Sequence, residues 1–146
     1  MTLFRIGTVG TGIPTTGGQA ITGLPGFATG TGSPYGFFLA DLDGNPGLDT
    51  LYVSDDGVGL TKYSLVGGAW TSNGTVGAAG DLYRGLTGVV NGTTVTLFAT
   101  RGVGATSLVS VVDASGFNAP ISGAPTLLAT AGTNTAFRGV AFAPQP

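Results

Sequence analysis

Asp41-Leu42-Asp43-Gly44-Asn45-Pro46-Gly47-Leu48-Asp49 stands between two apolar runs, Tyr35-Gly36-Phe37-Phe38-Leu39-Ala40 before it and Thr50-Leu51-Tyr52-Val53-Ser54 after it. Short runs rich in aromatic and β-branched residues, bounded by Gly, Pro, Asn and Asp, read as strands joined by a turn. The acids of this turn are regularly placed. Side-chain oxygens fall at alternate positions on Asp41, Asp43 and Asn45, and again on Asp49. A hard cation such as calcium takes about 6–8 oxygen ligands at about 2.3–2.6 Å, and a tight loop with alternating acids can converge them. The predicted metal ligands are Asp41, Asp43, Asn45 and Asp49, with the backbone carbonyl of Gly47 completing the shell.

The pattern recurs along the chain. Tyr83-Arg84-Gly85-Leu86-Thr87-Gly88-Val89 and Phe137-Arg138-Gly139-Val140-Ala141-Phe142-Ala143 repeat the motif of aromatic, Gly and alternating apolar residues seen at Tyr35-Gly36. Second strands are predicted over 50–54 and 95–100, third strands over 60–65 and 107–112, and fourth strands over 69–76 and 125–130. Residues 2–6 and 20–24 match the third and fourth strands of such a unit. Gly67-Gly68 and Asn91-Gly92 are two-residue hairpin signals. A period of about 45–50 residues with four strands is the spacing of propeller blades.

The reading is an all-β chain of four-stranded antiparallel propeller-type blades, a partial propeller of about two and a half to three blades. It divides into a half-blade over 1–33, a blade over 34–79, a blade over 83–131 and the first strand of a further blade over 136–146. No helix is predicted, because no window shows a 3.6-residue apolar period and Gly and Pro interrupt every segment.

The acidic loop and its flanks, Ala40 to Val53, resemble an FG-GAP repeat, as in integrin α-subunit propellers and secreted bacterial propellers. In that family a D-x-D-G-[DN]-x-x-x-D loop joins the first two strands of a blade and binds calcium. The resemblance implies a calcium-stabilised propeller outside the cell or on its surface. The second unit has Val89-Val90-Asn91-Gly92-Thr93 in place of the loop, with no acids, and is not expected to bind metal.

Composition narrows the function classes. The chain has 146 residues with 28 Gly, yet 42% of them are hydrophobic and fall in alternating bursts, which disordered chains lack. The five cations, Arg5, Lys62, Arg84, Arg101 and Arg138, are scattered, and the net charge is −2, so no phosphate-tracking surface for nucleic acid is expected. No apolar run is long enough to span a membrane as a helix, and no secretory signal is visible at the start. The seven acidic residues are all Asp, and His and Cys are absent. That leaves few groups whose pKa can be tuned for acid–base catalysis, so a non-enzymatic protein is expected.

The remaining candidates divide between structure and chemistry. Asp55-Asp56-Gly57 can be a carboxylate pair but reads first as a turn. Arg84 and Arg138 occupy equivalent places, so a shared structural task is expected ahead of anion or sugar binding in a channel. Trp70, Tyr52 and Tyr63 are expected to pack between sheets rather than stack on sugars. Asn73-Gly74-Thr75 and Asn91-Gly92-Thr93 fit the glycosylation pattern and are also ordinary turns. The Gly7 to Gly12 stretch lacks the βαβ setting of a dinucleotide site.

Two and a half blades cannot close a ring. Either the chain is part of a larger propeller or copies of it complete one another, head to tail. The expected function is a structural, self-assembling or adhesive module stabilised by calcium. The alternatives are a carbohydrate- or protein-binding module, and a hydrolase or lyase on a propeller scaffold.

Overall fold

Alternation along one strand sets the layering of the molecule. In the computed structural model, which describes residues 3–7, 9–10, 12–27 and 32–143, every residue of strand β4 (Thr50–Asp55) is buried. Successive side chains of a strand point to opposite faces, so such a strand must be covered on both sides. Leu51 and Val53 enter one apolar cluster with Trp70, against Leu3, Leu24 and Phe27 from upstream. Tyr52 enters the other with Leu60, against Val95, Leu97, Ala99, Val109 and Val111 from downstream.

Upstream of β4 lie β1 (Phe4–Ile6), β2 (Ile21–Gly23) and β3 (Pro34–Ala40). Downstream lie β5 (Gly59–Val66), β6 (Ala69–Val76), a 3-10 turn (Ala79–Asp81), β7 (Leu86–Asn91), β8 (Thr94–Arg101), β9 (Ser107–Asp113) and β10 (Thr126–Thr130). They form antiparallel sheets β1-β2, β3-β4-β5-β6 and β7-β8-β9-β10. The protein is therefore all-β, with a four-stranded meander in each of the two windows expected to hold one. The described residues form no closed ring.

Local turn chemistry explains several boundaries. Gly67 and Gly68 link Val66 to Ala69 with φ of 58° and 83°, the positive pair that a type I′ hairpin requires. The next hairpin turns one residue later than Asn91-Gly92 suggests. Asn91 pairs with Thr94, which leaves Gly92 and Thr93 as the loop. Strand β7 starts at Leu86 rather than Tyr83, because the 3-10 turn and Leu82, at φ 51°, redirect the chain first. Arg84 and Gly85 still exchange backbone hydrogen bonds with Thr100, at 3.0 Å each.

Residues 136–143 form no strand, although one was expected there. A strand needs a hydrogen-bonded neighbour, and the described chain supplies no second strand for this unit. The segment is held instead by Phe137 N–H on the Ala105 carbonyl at 2.9 Å and by the edge-on contact of Phe142 with Phe98. Parts of the expected terminal units (residues 1, 2, 8, 11, 28–31 and 144–146) lie outside the described residues, as do Thr8 and Thr11 of the Gly7–Gly12 stretch.

The same step separates successive units. A Cβ on Gly36 would lie 2.9 Å from the Arg84 carbonyl oxygen and 3.2 Å from the Leu86 nitrogen. A Cβ on Gly85 would lie 3.2 Å from Gly139 Cα and 3.3 Å from the Val140 nitrogen. Glycine at both places lets one backbone run against the next. Gly36→Ala is expected to cost about 1–3 kcal/mol by overpacking, because rigid backbone has to yield. Gly17→Ala, in open space, is expected to stay within about 0.5 kcal/mol. Equal denaturation midpoints for the two variants would refute this account of the packing.

Candidate functional site

The acidic loop joins β3 to β4, and its shape is written by its own side chains. Asp49 is buried, and its carboxylate accepts from Leu42 N–H at 3.0 and 3.1 Å, Asp43 N–H at 2.8 Å and the Thr50 hydroxyl at 2.7 Å. Asp43 accepts from Asn45 N–H at 2.7 Å and from the Asn45 amide group at 3.0 Å. Asp41 accepts from Gly47 N–H at 3.2 Å. The bonds from the Asn45 side chain, then its backbone, hold the exposed Asp43 carboxyl below the ordinary carboxylate value.

These bonds gather three acids. One oxygen from each of Asp41, Asp43 and Asp49 lies within 4.8 Å of the others. Two oxygens on one calcium ion at about 2.3–2.6 Å are at most about 5 Å apart, so the three fit a shared hard cation. A carboxylate has about four lone-pair sites, so ligation and the loop hydrogen bonds can coexist. The ion pairs among the described residues, Lys62–Asp113, Arg84–Asp56 and Arg101–Asp81, all lie elsewhere, so no side-chain cation offsets this cluster. Asn45 is anchored on Asp43 and the Gly47 amide on Asp41. Both belong to the loop that carries the three acids.

A second polar cluster lies between the four-stranded sheets. Lys62 Nζ is 2.9 Å from Asp113 Oδ2, and both side chains are fully buried. The Tyr52 hydroxyl donates to the same oxygen at 2.7 Å. Asp113 Oδ1 takes the backbone N–H and hydroxyl of Ser115 and of Ser122, at 2.6–3.1 Å. Lys62 also donates to the Ser115 hydroxyl at 2.7 Å and to the Gly116 carbonyl. Burial alone would raise the Asp113 pKa. The bonds from Ser115, Lys62, Tyr52 and Ser122 outweigh it and hold the carboxyl far below its ordinary value. Burial, then the bond to Asp113, pushes the Tyr52 hydroxyl well above its ordinary value.

This network was missed in the sequence, and its signal was phase. Lys62 shares the face of Leu60 and Ser64 on β5, and Asp113 shares that of Val109 and Val111 on β9. A charge in the core phase of a strand requires a partner. The segment after Asp113 folds back over the first four-stranded sheet, where Asn118 N–H meets the Ser64 hydroxyl at 3.1 Å and Ile121 N–H meets the Asn73 carbonyl at 2.8 Å.

Most of the other singled-out residues have structural partners, but Arg138, unlike Arg84, makes no hydrogen bond or ion pair among the described residues, so the structural task expected of both is seen for Arg84 alone. Asp55 accepts Ser33 N–H and Gly57 N–H, each at 2.8 Å, and Asp56 pairs with Arg84 at 3.0 Å. Tyr52 and Trp70 are buried between sheets, and the half-buried Tyr63 stacks on Phe27 with centroids 4.4 Å apart. No helix among the described residues is long and apolar enough to cross a membrane. Comparison of the chain with protein-family models, curated proteins and solved structures finds no match.

Proposed function

We propose that the chain is a run of propeller blades serving as a non-enzymatic structural or adhesive module outside the cell. In this reading calcium on the Asp41–Asp49 loop stabilises it, and it joins further blades, its own copies included, through the ends of its sheet stack. The repeated step at Gly36 and Gly85 carries the reading. In both places the chain at the start of one unit runs against the backbone at the start of the next, the relation that blades following one another around an axis would have.

Both ends of the stack present apolar side chains. On the β1-β2 sheet, Phe4, Ile6 and Ile21 are 62%, 52% and 67% exposed. On the far face of the second four-stranded sheet, Val112 is 48% exposed and Phe142 is 51% exposed. Surfaces of this kind mark contact sites, and head-to-tail contacts give rings or filaments. Light scattering is expected to show species larger than one chain, reduced by Val112→Asp. A monomer unaffected by that substitution would reject self-assembly.

The non-enzymatic part rests on where the two groups held furthest from their ordinary pKa values sit. Asp113 and Tyr52 are wholly buried and spoken for, beyond the reach of a substrate. No turnover of glycosides, esters or phosphoesters is expected. Calcium-dependent hydrolysis that disappears in Asp41→Ala would overturn this and move an active site to the loop.

A further inference from the structure

The connector between the last two strands differs from sheet to sheet. In the first four-stranded sheet it is the hairpin Gly67-Gly68 between β5 and β6. In the second it is long, residues 114–125 between β9 and β10, and in the β1-β2 sheet it is long again, residues 7–20. The 114–125 connector leaves its own sheet and crosses the sheet before it. Lys62 donates to Ser115 and Gly116, Asn118 N–H donates to the Ser64 hydroxyl at 3.1 Å, and Ile121 N–H donates to the Asn73 carbonyl at 2.8 Å. One unit therefore covers the outer strands of its predecessor.

The second four-stranded sheet has no successor in the described chain to cover it. Thr50 pairs with Ser64 in the first four-stranded sheet, and Thr96 pairs with Val112 in the second. Counted from Gly36 opposite Ser54 and from Gly85 bonded to Thr100, Thr50 and Thr96 occupy the same place. Val112 is therefore the counterpart of Ser64. Ser64 is buried beneath the connector, whereas Val112 is 48% exposed and Thr126, on the same face, is exposed as well.

The β1-β2 sheet has the opposite imbalance, a long connector with no predecessor to cross. Among residues 12–20 of that connector, Ile13 is 91% exposed. With Pro14, Phe4 and Ile6 it walls a hollow of about 580 Å³ that no charged side chain lines. Phe4 and Ile6 alternate with Leu3, which packs towards Leu51 and Trp70, so the hollow lies on the face turned away from the rest of the chain.

We infer that residues 12–20 of one copy lie across β9 and β10 of another, with Ile13 and Pro14 against Val112, as residues 114–123 lie across β5 and β6 within the chain. The occupant of the uncovered face is a second copy, joined by its first sheet to the last sheet of its neighbour. The two surfaces match in chemistry. The internal crossing is polar at Ser64 and Asn118, whereas here an apolar connector meets an apolar strand, so burial of apolar area drives the contact. This inference rests on the self-assembly reading and names the surfaces that meet and their polarity.

Disulfide trapping tests it. The chain has no Cys, so introduced cysteines pair only with one another. Copies carrying Ile13→Cys are mixed with copies carrying Val112→Cys, or Thr126→Cys on the same face, and are oxidised. A disulfide requires Cα atoms within about 7 Å, so a covalent dimer is expected from at least one of these mixtures, with the linked peptides identified by mass spectrometry. Val103→Cys is the control, because Val103 is 81% exposed yet precedes β9, at the end of the strand opposite Val112. Its mixture with Ile13→Cys is expected to yield at least about tenfold less dimer, since disulfide geometry excludes distant pairs. A yield from both test mixtures no higher than from the control would overturn the contact. If light scattering then still shows species larger than one chain, assembly stands and runs through other surfaces. A single-chain mass would overturn both.

Discussion

Asp113→Asn is expected to lower folding stability by about 3–5 kcal/mol, the range for removing one partner of a buried ion pair. At about 2–4 °C per kcal/mol for a chain of this size, the melting midpoint falls by roughly 10 °C. The magnitude follows from burial. An exposed pair contributes about 0–1 kcal/mol, because water replaces the lost partner. Lys62 and Asp113 are both fully buried, so water cannot do so here. The amide left at position 113 cannot neutralise Lys62, and whichever way it turns its NH2 group faces donors, either the Lys62 ammonium or the Ser115 and Ser122 N–H groups. Adding Lys62→Met is expected to recover part of the loss by removing the stranded charge. Urea denaturation of the single and double variants measures both effects. A loss under about 1 kcal/mol for Asp113→Asn would mean that the pair behaves as a surface pair, against its burial.

The same network sets two limits in pH. Asp113 is held below its unfolded value of about 3.9, so its contribution is complete above that pH and is lost progressively as the pH falls below it. Tyr52, Tyr63 and Tyr83 are shifted the other way, in each case chiefly by burial. Their contribution is complete below the unfolded tyrosine value of about 10 and is lost as the pH rises past it. Between these limits Asp113 stays ionised and the three tyrosines stay neutral in both states, so the stability plateau is expected to be broad.

How much of this was legible in the sequence depended on whether the cause was local. Leu51, Tyr52 and Val53 alternate within one strand, and Gly67-Gly68 turns within one hairpin, so neighbouring residues alone placed β3 to β6. Strand β7 was placed too early because the αL residue Leu82, which bends the chain before it, is not a type that advertises a turn. Residues 136–143 carry a strand pattern but lack a partner to pair with, and pattern cannot supply one. The acidic loop was visible because its bonds close within nine residues, Asp41 to Asp49. The Lys62–Asp113 pair joins two sheets, and each half reads in isolation as an ordinary polar residue, Lys62 within a strand and Asp113 at the end of one. Only its phase on β5 and β9 set it apart, and phase has meaning once both faces of a sheet are known to be covered.

Removal of calcium is expected to lower the melting midpoint if the Asp41–Asp49 loop holds the ion. Binding to the folded state alone contributes RT ln(1 + [L]/Kd), about 2.7 kcal/mol at a hundredfold excess over Kd, or a shift of roughly 5–10 °C for a chain of this length. The choice of variant decides whether the experiment is informative. Asp49 anchors Leu42, Asp43 and Thr50, so Asp49→Ala is expected to destabilise the chain with or without calcium. Asp43 is exposed, its carboxylate accepts hydrogen bonds from Asn45, and its bond to Asp49 comes from its backbone N–H, so Asp43→Ala removes a ligand while the strands on either side keep their pairing. The calcium-free midpoint of Asp43→Ala is therefore expected to stay near that of the unsubstituted chain, while the gain on adding calcium largely disappears. Magnesium at the same concentration is expected to stabilise less, because it keeps its waters and requires near-octahedral ligands at about 2.0–2.1 Å. If melts with calcium and with chelator coincide, the three carboxylates serve the backbone of the turn alone, through the hydrogen bonds that already close it.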